Sequence, residues 1–557
     1  MKSPMRLMER RVGLVFAVFL AGLAVAGTKA LWLGVVKANT LRDAAAVQHE
    51  QAITVPARRG SITDRNGEEL AVSQPAMSVA ATPYLIRDPL RVAKRISGLL
   101  GRDEADVLAD LSKKDTGFVW LARKLPLETA TQVQKLGIEG LDFVEESVRA
   151  YPRRFVASQL LGFTGTDNTG LAGLEHQHDA ELGGRDGKRR LVKDALGEPI
   201  KLDDQRPPRD GEDLRLTIDD RIQEETEKVL AEVGEKWKPA KGATAIVMDP
   251  HDGELLAVAN WPRVDANEPG AAPDWARQNR AVQVSYEPGS TFKAFTMAGA
   301  LSDGKVTPDT MFQLPASIRV ADREIGEAHE ESYGTLSAAG IIQKSSNVGT
   351  VMIGERLGAD RFDWWVRRFG FGRPTGVDLP GEQAGIVLAR KNYSGSSMGN
   401  LPIGQGEAVT PMQMVAAYAA IANGGVLRPP RIVKAIGGKP TAVPKGKRVI
   451  SGHVSAQLRD MLEGVFGPGG TASGAAIEGY KLAGKTGTAE KPDPIKGGYS
   501  STKFVASFVG FAPANDPRLL TLVMVDEPQG DIYGGSVAAP AWRDITSFAL
   551  NYLRIAP

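Results

Sequence analysis

The chain has 557 residues, of which 42% are hydrophobic and 24% charged, with a formal net charge of +2 and no cysteine. That length exceeds one ordinary domain, the composition is that of a folded globular protein, and the near-neutral charge gives no electrostatic basis for binding nucleic acid. Disulfides and thiolate metal sites are excluded, and the six histidines, with His176 and His178 as their one close pair, offer no metal-ligand cluster.

Residues 12–36 are apolar apart from Thr28, Lys29 and a few glycines, about the length that crosses a bilayer as a helix. Lys2, Arg6, Arg10 and Arg11 precede them, which places a tail of residues 1–11 in the cytoplasm. Ala24-Val25-Ala26 has the small residues of a signal-peptide cleavage site. The apolar run nevertheless continues through Ala30-Leu31-Trp32-Leu33, which favours a retained anchor. Residues 37–56 are polar and helix-compatible and read as a stalk.

Asn66-Gly67 between short strand-like runs is a hairpin signal. Residues 85–150 mix charged helical patterns with short apolar stretches, and Glu145-Glu146 reads as a solvated face. The glycines of Gly170-Leu171-Ala172-Gly173-Leu174-Glu175 predict tight packing and turns, because no strand-to-helix context makes them a phosphate cradle. The polar run Lys201 to Asp213, with Pro207-Pro208, marks a boundary between a domain over 57–213 and one over 214–557.

The second half changes character. Ala243 to Asp249 and Glu254 to Asn260 predict two strands joined by a hairpin. Phe504 to Phe511 and Leu519 to Asp526 predict two more, and Pro411 to Ile421 a helix. The order implies an α+β fold with an antiparallel sheet drawn from both ends of the domain and covered by helices.

Three polar clusters interrupt these apolar surroundings. In Pro288-Gly289-Ser290-Thr291-Phe292-Lys293, a helix starting near Ser290 sets Ser290 and Lys293 one turn apart on one face. A serine hydroxyl needs a base, and a lysine serves only when neutral, which burial beside Phe292 and Phe295 favours. The same spacing at Ser302/Lys305 falls on a turn and at Ser500/Lys503 on a loop. Ser345-Ser346-Asn347 follows a helix-compatible run, Ala338 to Lys344, and reads either as a cap or as a hydroxyl and a carboxamide set for proton transfer and amide binding. Gly484-Lys485-Thr486-Gly487-Thr488 precedes the last strand pair and reads either as a strand end with glycines at a bulge or as a site whose glycines let a substrate backbone approach and whose lysine and threonines suit a carboxylate. Occurring together in this order, the three form the set S-x-x-K, S-x-N and K-T-G of serine enzymes that react with penicillins.

On these motifs, the basic N-terminus and anchor, Arg59-Gly60 to Leu70, Gly170 to Glu175, Gly404-Gln405-Gly406 and Val409-Thr410-Pro411, the chain resembles the class B penicillin-binding proteins, and among them the division-specific D,D-transpeptidases of the penicillin-binding protein 3 type. The resemblance implies a non-catalytic pedestal over 57–213 and a transpeptidase domain over 214–557. It implies Ser290 as nucleophile, Lys293 as its base and Ser345 as proton relay to the leaving D-alanine. Asn347, Lys485, Thr486, Gly487 and Thr488 would bind the donor peptide, with the Ser290 and Thr488 amides as oxyanion hole. It further implies peptidoglycan stem peptides as substrate, β-lactams as covalent inhibitors, a SEDS-family glycan polymerase and other divisome proteins as partners, no cofactor or metal, and a single-pass protein of the bacterial inner membrane with a periplasmic catalytic domain. An elongation-specific class B transpeptidase is the alternative within the class; a non-catalytic divisome scaffold or a β-lactam sensor is the alternative outside it.

Overall fold

The computed structural model describes residues 4–36, 50–193, 199–328, 332–493 and 495–557; of the expected stalk over 37–56, residues 37–49 lie outside the described residues. Helix α1, Pro4–Leu31, continues as a π turn over Trp32–Val36. Its apolar stretch Arg11–Val35, 25 residues with a mean hydropathy of 2.1, is buried nowhere along its length. At 1.5 Å per residue it reaches about 38 Å, more than the roughly 30 Å of a bilayer's hydrocarbon.

The chain forms two compact units, Met1–Arg58 with Gly184–Asp210, and Arg59–Gly183 with Gly211–Pro557. In the first, Glu50–Val55 pairs antiparallel with Gly187–Lys193, which pairs with Pro199–Arg206. Residues 50–55 are therefore a strand and not the helix-compatible end of a stalk; the β-branched run Ile53-Thr54-Val55 prefers extended backbone.

In the second unit, Ile62–Thr63 and Glu69–Ala81 form the hairpin signalled by Asn66-Gly67. The Asp64 carboxylate accepts the Asn66 and Glu68 amides inside the turn. Glu69–Ala81 is flanked by Val119–Pro126 and Leu141–Ala150. Ile62–Thr63 pairs in parallel with Leu214–Leu216, which pairs with Val433–Ile436. This sheet joins residues on both sides of 213, while the two compact units part at Asp210–Gly211, inside the polar, proline-containing run. The glycine-rich segment packs tightly as expected: a Cβ on Gly162 would strike the Ala172–Gly173 backbone, and one on Gly173 the Leu161–Gly162 backbone. Next to it Glu175, fully buried, accepts Arg59 Nε and Arg149 Nε at 2.6 Å each.

The remainder of this unit is built on five antiparallel strands: β1 (Gly242–Met248), β2 (Leu255–Trp261), β3 (Ala483–Pro492), β4 (Tyr499–Ala512) and β5 (Leu519–Asp526), in the order β2-β1-β5-β4-β3. Around them lie α2 (Asp220–Trp237), α3 (Lys293–Ser302), α4 (Ala338–Lys344), α5 (Asn347–Leu357), α6 (Pro411–Ala422) and α7 (Ala539–Tyr552). β1 and β5 are buried at every residue; since alternate side chains face opposite ways, both faces of the sheet are covered. α2 and α7 pack on each other and on the strands, while α6 packs on β1, β4 and β5. α2 is capped by Asp219, whose carboxylate accepts from the Arg221 and Ile222 amides, and it buries Ile222, Thr226, Val229, Leu230 and Val233 at helical spacing. α6 is buried throughout and starts with a Thr410/Gln413 capping box and Pro411.

Candidate active site

The Ser290 segment begins as a tight turn, Gly289–Phe292, that runs directly into α3. Two supports fix it. The Gly289 amide donates to Gly404 O at 3.0 Å and the Tyr286 amide to Val409 O at 2.9 Å, so the Gly404–Val409 segment braces the nucleophile's turn. From below, the Tyr418 hydroxyl of α6 donates to Thr291 O at 2.6 Å. Phe292 and Phe295 lie in a buried aromatic cluster with Phe371, their rings 5.0–5.3 Å apart. Lys293, between Phe292 and Phe295 in the chain, is buried completely.

That burial pushes the Lys293 amine down to about 7, against the opposing pull of the Glu327 carboxylate. Its Nζ donates to Ser345 O at 2.6 Å and to Asn347 Oδ1 at 2.7 Å, with Ser345 Oγ at 3.3 Å. A neutral amine has two N–H groups and one lone pair. With the two hydrogens committed to the short contacts, the lone pair is free to take a hydroxyl proton.

Ser345 and Asn347 are brought there by the junction of α4 and α5. Ser345 closes α4 in the left-handed conformation, φ 60°, an arrangement that costs a non-glycine residue about 1 kcal/mol or more. Capping offsets it: Ser346 Oγ accepts the Gly349 amide, and the Ser346 amide donates to Ile341 O. The cap reading of this triplet and the functional one are both realised, Ser346 capping while Ser345 and Asn347 face Lys293.

Lys485 arrives from β3. It too is fully buried, and its Nζ donates to Ser345 Oγ at 2.9 Å. Burial first, then repulsion from Lys293, drives it well below the usual lysine range. One serine hydroxyl thus sits between two buried amines. Next along β3, Thr486 Oγ1 pairs with Thr471 Oγ1 at 2.7 Å, and Thr488 Oγ1 accepts the Gly534 amide at 3.0 Å. Gly487 is needed for packing within the protein. A Cβ there would strike Ser507 Oγ and come within 2.9 Å of Thr291 Cγ2 and 3.1 Å of Pro288 O. The glycine lets β3 lie flat against the neighbouring strand and the protein's own nucleophile turn.

Ser290, Ser345, Asn347, Thr486 and Thr488 line one cleft of about 640 Å³, with Lys293 and Lys485 behind its wall. Of the two other Ser/Lys pairs, Ser302 ends α3 before the Asp303-Gly304 turn. Ser500 and Lys503 stand in the first turn-proximal part of β4 and not in a loop, because the β3–β4 hairpin extends out to Tyr499.

Sequence reasoning missed Glu327. It lies just past the strand Arg323–Gly326, in the hairpin with Ser317–Val320 that forms one wall of the cleft. Its carboxylate accepts the Ser346 hydroxyl at 2.6 Å and the Asn347 amide at 2.7 Å. Nothing marks it among Glu324, Glu330 and Glu331, an acidic run that reads as surface.

Residues 243–547 match the penicillin binding protein transpeptidase domain family, and residues 54–216 the penicillin-binding protein dimerisation domain family. Stage V sporulation protein D of Bacillus subtilis is 37% identical over 515 residues, covering 90% of this chain and 79% of its own length. Peptidoglycan D,D-transpeptidase FtsI of Escherichia coli is 32% identical over 554 residues, covering 98% of this chain and 92% of its own. Among solved structures, penicillin binding protein 3 from Mycobacterium tuberculosis complexed with aztreonam superposes with a TM-score of 0.71 at 30% identity, over 90% of this chain and 98% of that one. A Ser–Lys pair, an S-x-N triplet and a K-T-G strand converging on one cleft, within a chain matched end to end by such proteins, make this a penicillin-binding serine transpeptidase: the chain belongs to the class B penicillin-binding proteins.

Proposed function

We propose that the chain is the D,D-transpeptidase that cross-links peptidoglycan stem peptides at the division septum. One observation carries the chemistry: the buried Lys293 amine, held at 2.7 Å from Asn347 Oδ1 and 2.6 Å from Ser345 O. Ser290 Oγ attacks the carbonyl between the last two D-alanines while its proton passes to Lys293 Nζ. The new Oγ–C bond forms a tetrahedral oxyanion, received by the backbone amides of Ser290 and Thr488. The C–N bond then breaks, and Ser345 Oγ, fed from Lys293 and Lys485, gives a proton to the departing D-alanine amine. Asn347 holds the donor's amide; Lys485, Thr486 and Thr488 hold its terminal carboxylate, with the β3 edge pairing the peptide by strand addition. An amine of a neighbouring stem attacks the ester, releases Ser290 and leaves the cross-link. A β-lactam enters as the donor and stays as a long-lived acyl-enzyme.

The apolar α1 anchors the chain once in the inner membrane, with the basic tail cytoplasmic and the catalytic unit periplasmic. The segment 57–213 acts as a non-catalytic pedestal, and a SEDS-family glycan polymerase is the expected membrane partner. The septal role rests on the resemblance to division-specific members of the class. The test is product analysis on the purified full chain with a stem-peptide donor and an amine acceptor. A cross-linked product that disappears in Ser290→Ala supports the reading; hydrolysed donor alone makes the protein a carboxypeptidase instead.

A further inference from the structure

Glu327 is joined to the reacting groups by an unbroken chain of contacts. One carboxylate oxygen accepts Ser346 Oγ at 2.6 Å and the other the Asn347 backbone amide at 2.7 Å, at the first turn of α5. The neighbouring Gly326 O accepts Asn347 Nδ2 at 3.1 Å. With its amide, its side-chain nitrogen and the adjoining Ser346 all tied to the Gly326–Glu327 segment, Asn347 has its side-chain oxygen aimed at Lys293 Nζ, 2.7 Å away. A carboxylate receiving two donors at a helix N-terminus is bound through charge-assisted hydrogen bonds and the favourable end of the helix dipole.

We propose that Glu327 is a positioning residue for acyl transfer: through Ser346 and Asn347 it sets the carboxamide on the Lys293 amine. The proposal rests on the reading of Lys293 as the base. Among the described residues, the charged groups facing Lys293 are Lys485 on β3 and Glu327 at the end of the hairpin, while Ser345 and Asn347 present only dipoles. Lys344, Arg323, Glu324 and Glu490 stand around the cleft. Glu327 is thus the carboxylate that opposes the burial of Lys293, and removing its charge makes the amine easier to deprotonate.

The rate of acylation by a fluorescent penicillin is measured against pH for the full-length wild type, Glu327→Gln and Glu327→Asp, with melting curves to establish folding. Glu327→Gln is expected to move the midpoint of the pH profile down by roughly half a unit or more and to lower the plateau about tenfold. Glu327→Asp keeps the charge and returns the midpoint to the wild-type position. A folded Glu327→Gln whose midpoint does not move overturns the proposal, since a merely structural contact lowers the plateau alone. A crystal structure of Glu327→Ala reads the positioning without any chemistry: Asn347 Oδ1 is expected to leave hydrogen-bond reach of Lys293 Nζ, and an unchanged contact overturns the proposal. Should the wild type fail to be acylated at Ser290, the reading of the base falls, and the crystal structure still decides what Glu327 does.

Discussion

Replacing Glu175 with glutamine removes the one carboxylate shared by two buried guanidiniums. The Arg59, Arg149 and Glu175 side chains are 1%, 2% and 0% exposed. The two partners are left unequally. Arg59 keeps Asp179 Oδ1 at 2.6 Å, Asn168 O at 2.9 Å and Glu175 O at 2.7 Å. Arg149 keeps Gly60 O at 2.8 Å and a long contact to Ser73 Oγ, and its Nη2 already has no partner. Arg149 therefore becomes a buried cation with no counter-charge, a loss of about 3–5 kcal/mol. Thermal melting of the full chain in detergent should fall by several degrees at least. The double variant Arg149→Met, Glu175→Leu removes the stranded charge with its partner and should recover most of that loss. Penicillin acylation of the still-folded single variant should match the wild type at room temperature, because none of these residues lines the cleft. A single variant melting with the wild type, or a double variant no more stable than the single, would refute the reasoning.

Other perturbations test the catalytic cleft and its supports. Because the base must be neutral and Lys293 is held at about 7, acylation should climb with pH up to about 7 and level off above it. A profile still rising steeply toward the ordinary lysine range would show that burial does not tune this amine. Gly487→Ala puts a methyl against Thr291 and Pro288; overpacking of this kind typically costs about 1–3 kcal/mol, and acylation should drop at least tenfold as β3 is pushed off the nucleophile turn. Unchanged acylation would show that this contact does not hold the nucleophile turn in place. Glu287 is held at about 7 by burial, and Glu407, buried beside it, is raised well above the usual carboxylate range by burial and by Glu287. Carboxyls raised on folding stabilise below their unfolded value and lose that contribution as pH rises toward the folded one. Glu407→Gln should therefore raise the melting temperature more at mildly alkaline pH than at mildly acidic pH, and a gain independent of pH would contradict the assignment.

What was legible in the sequence follows from physics local to each motif. The β1–β2 hairpin, the Ser290 turn before α3 and the helix Ala338–Lys344 ahead of the S-x-N triplet each depend on neighbours in the chain, and each appears as expected. The tight Gly162–Gly173 packing was equally readable, as glycine density. Long-range pairing was not. Residues 62–63, 214–216 and 433–436 share one sheet through registers that no local pattern encodes, and the polar run, inside which the compact units part, gives no sign of that sheet. Glu327 was hidden for the same reason, its partners lying in a turn that only the folded hairpin approaches. At Gly487 the glycine itself signals close approach, and the structure shows Ser507 and the Pro288–Thr291 turn among the groups that approach it. Residues 50–55 went astray because a short β-branched run behind a polar one carries no periodicity to separate strand from helix.

The most direct test is mass spectrometry of the full chain after brief reaction with a penicillin, locating the covalent adduct by residue. The geometry predicts one penicilloyl group, on the Ser290 hydroxyl, absent from Ser290→Ala and strongly reduced in Lys293→Ala. An adduct on any other residue, or undiminished labelling of Ser290→Ala, would contradict the account.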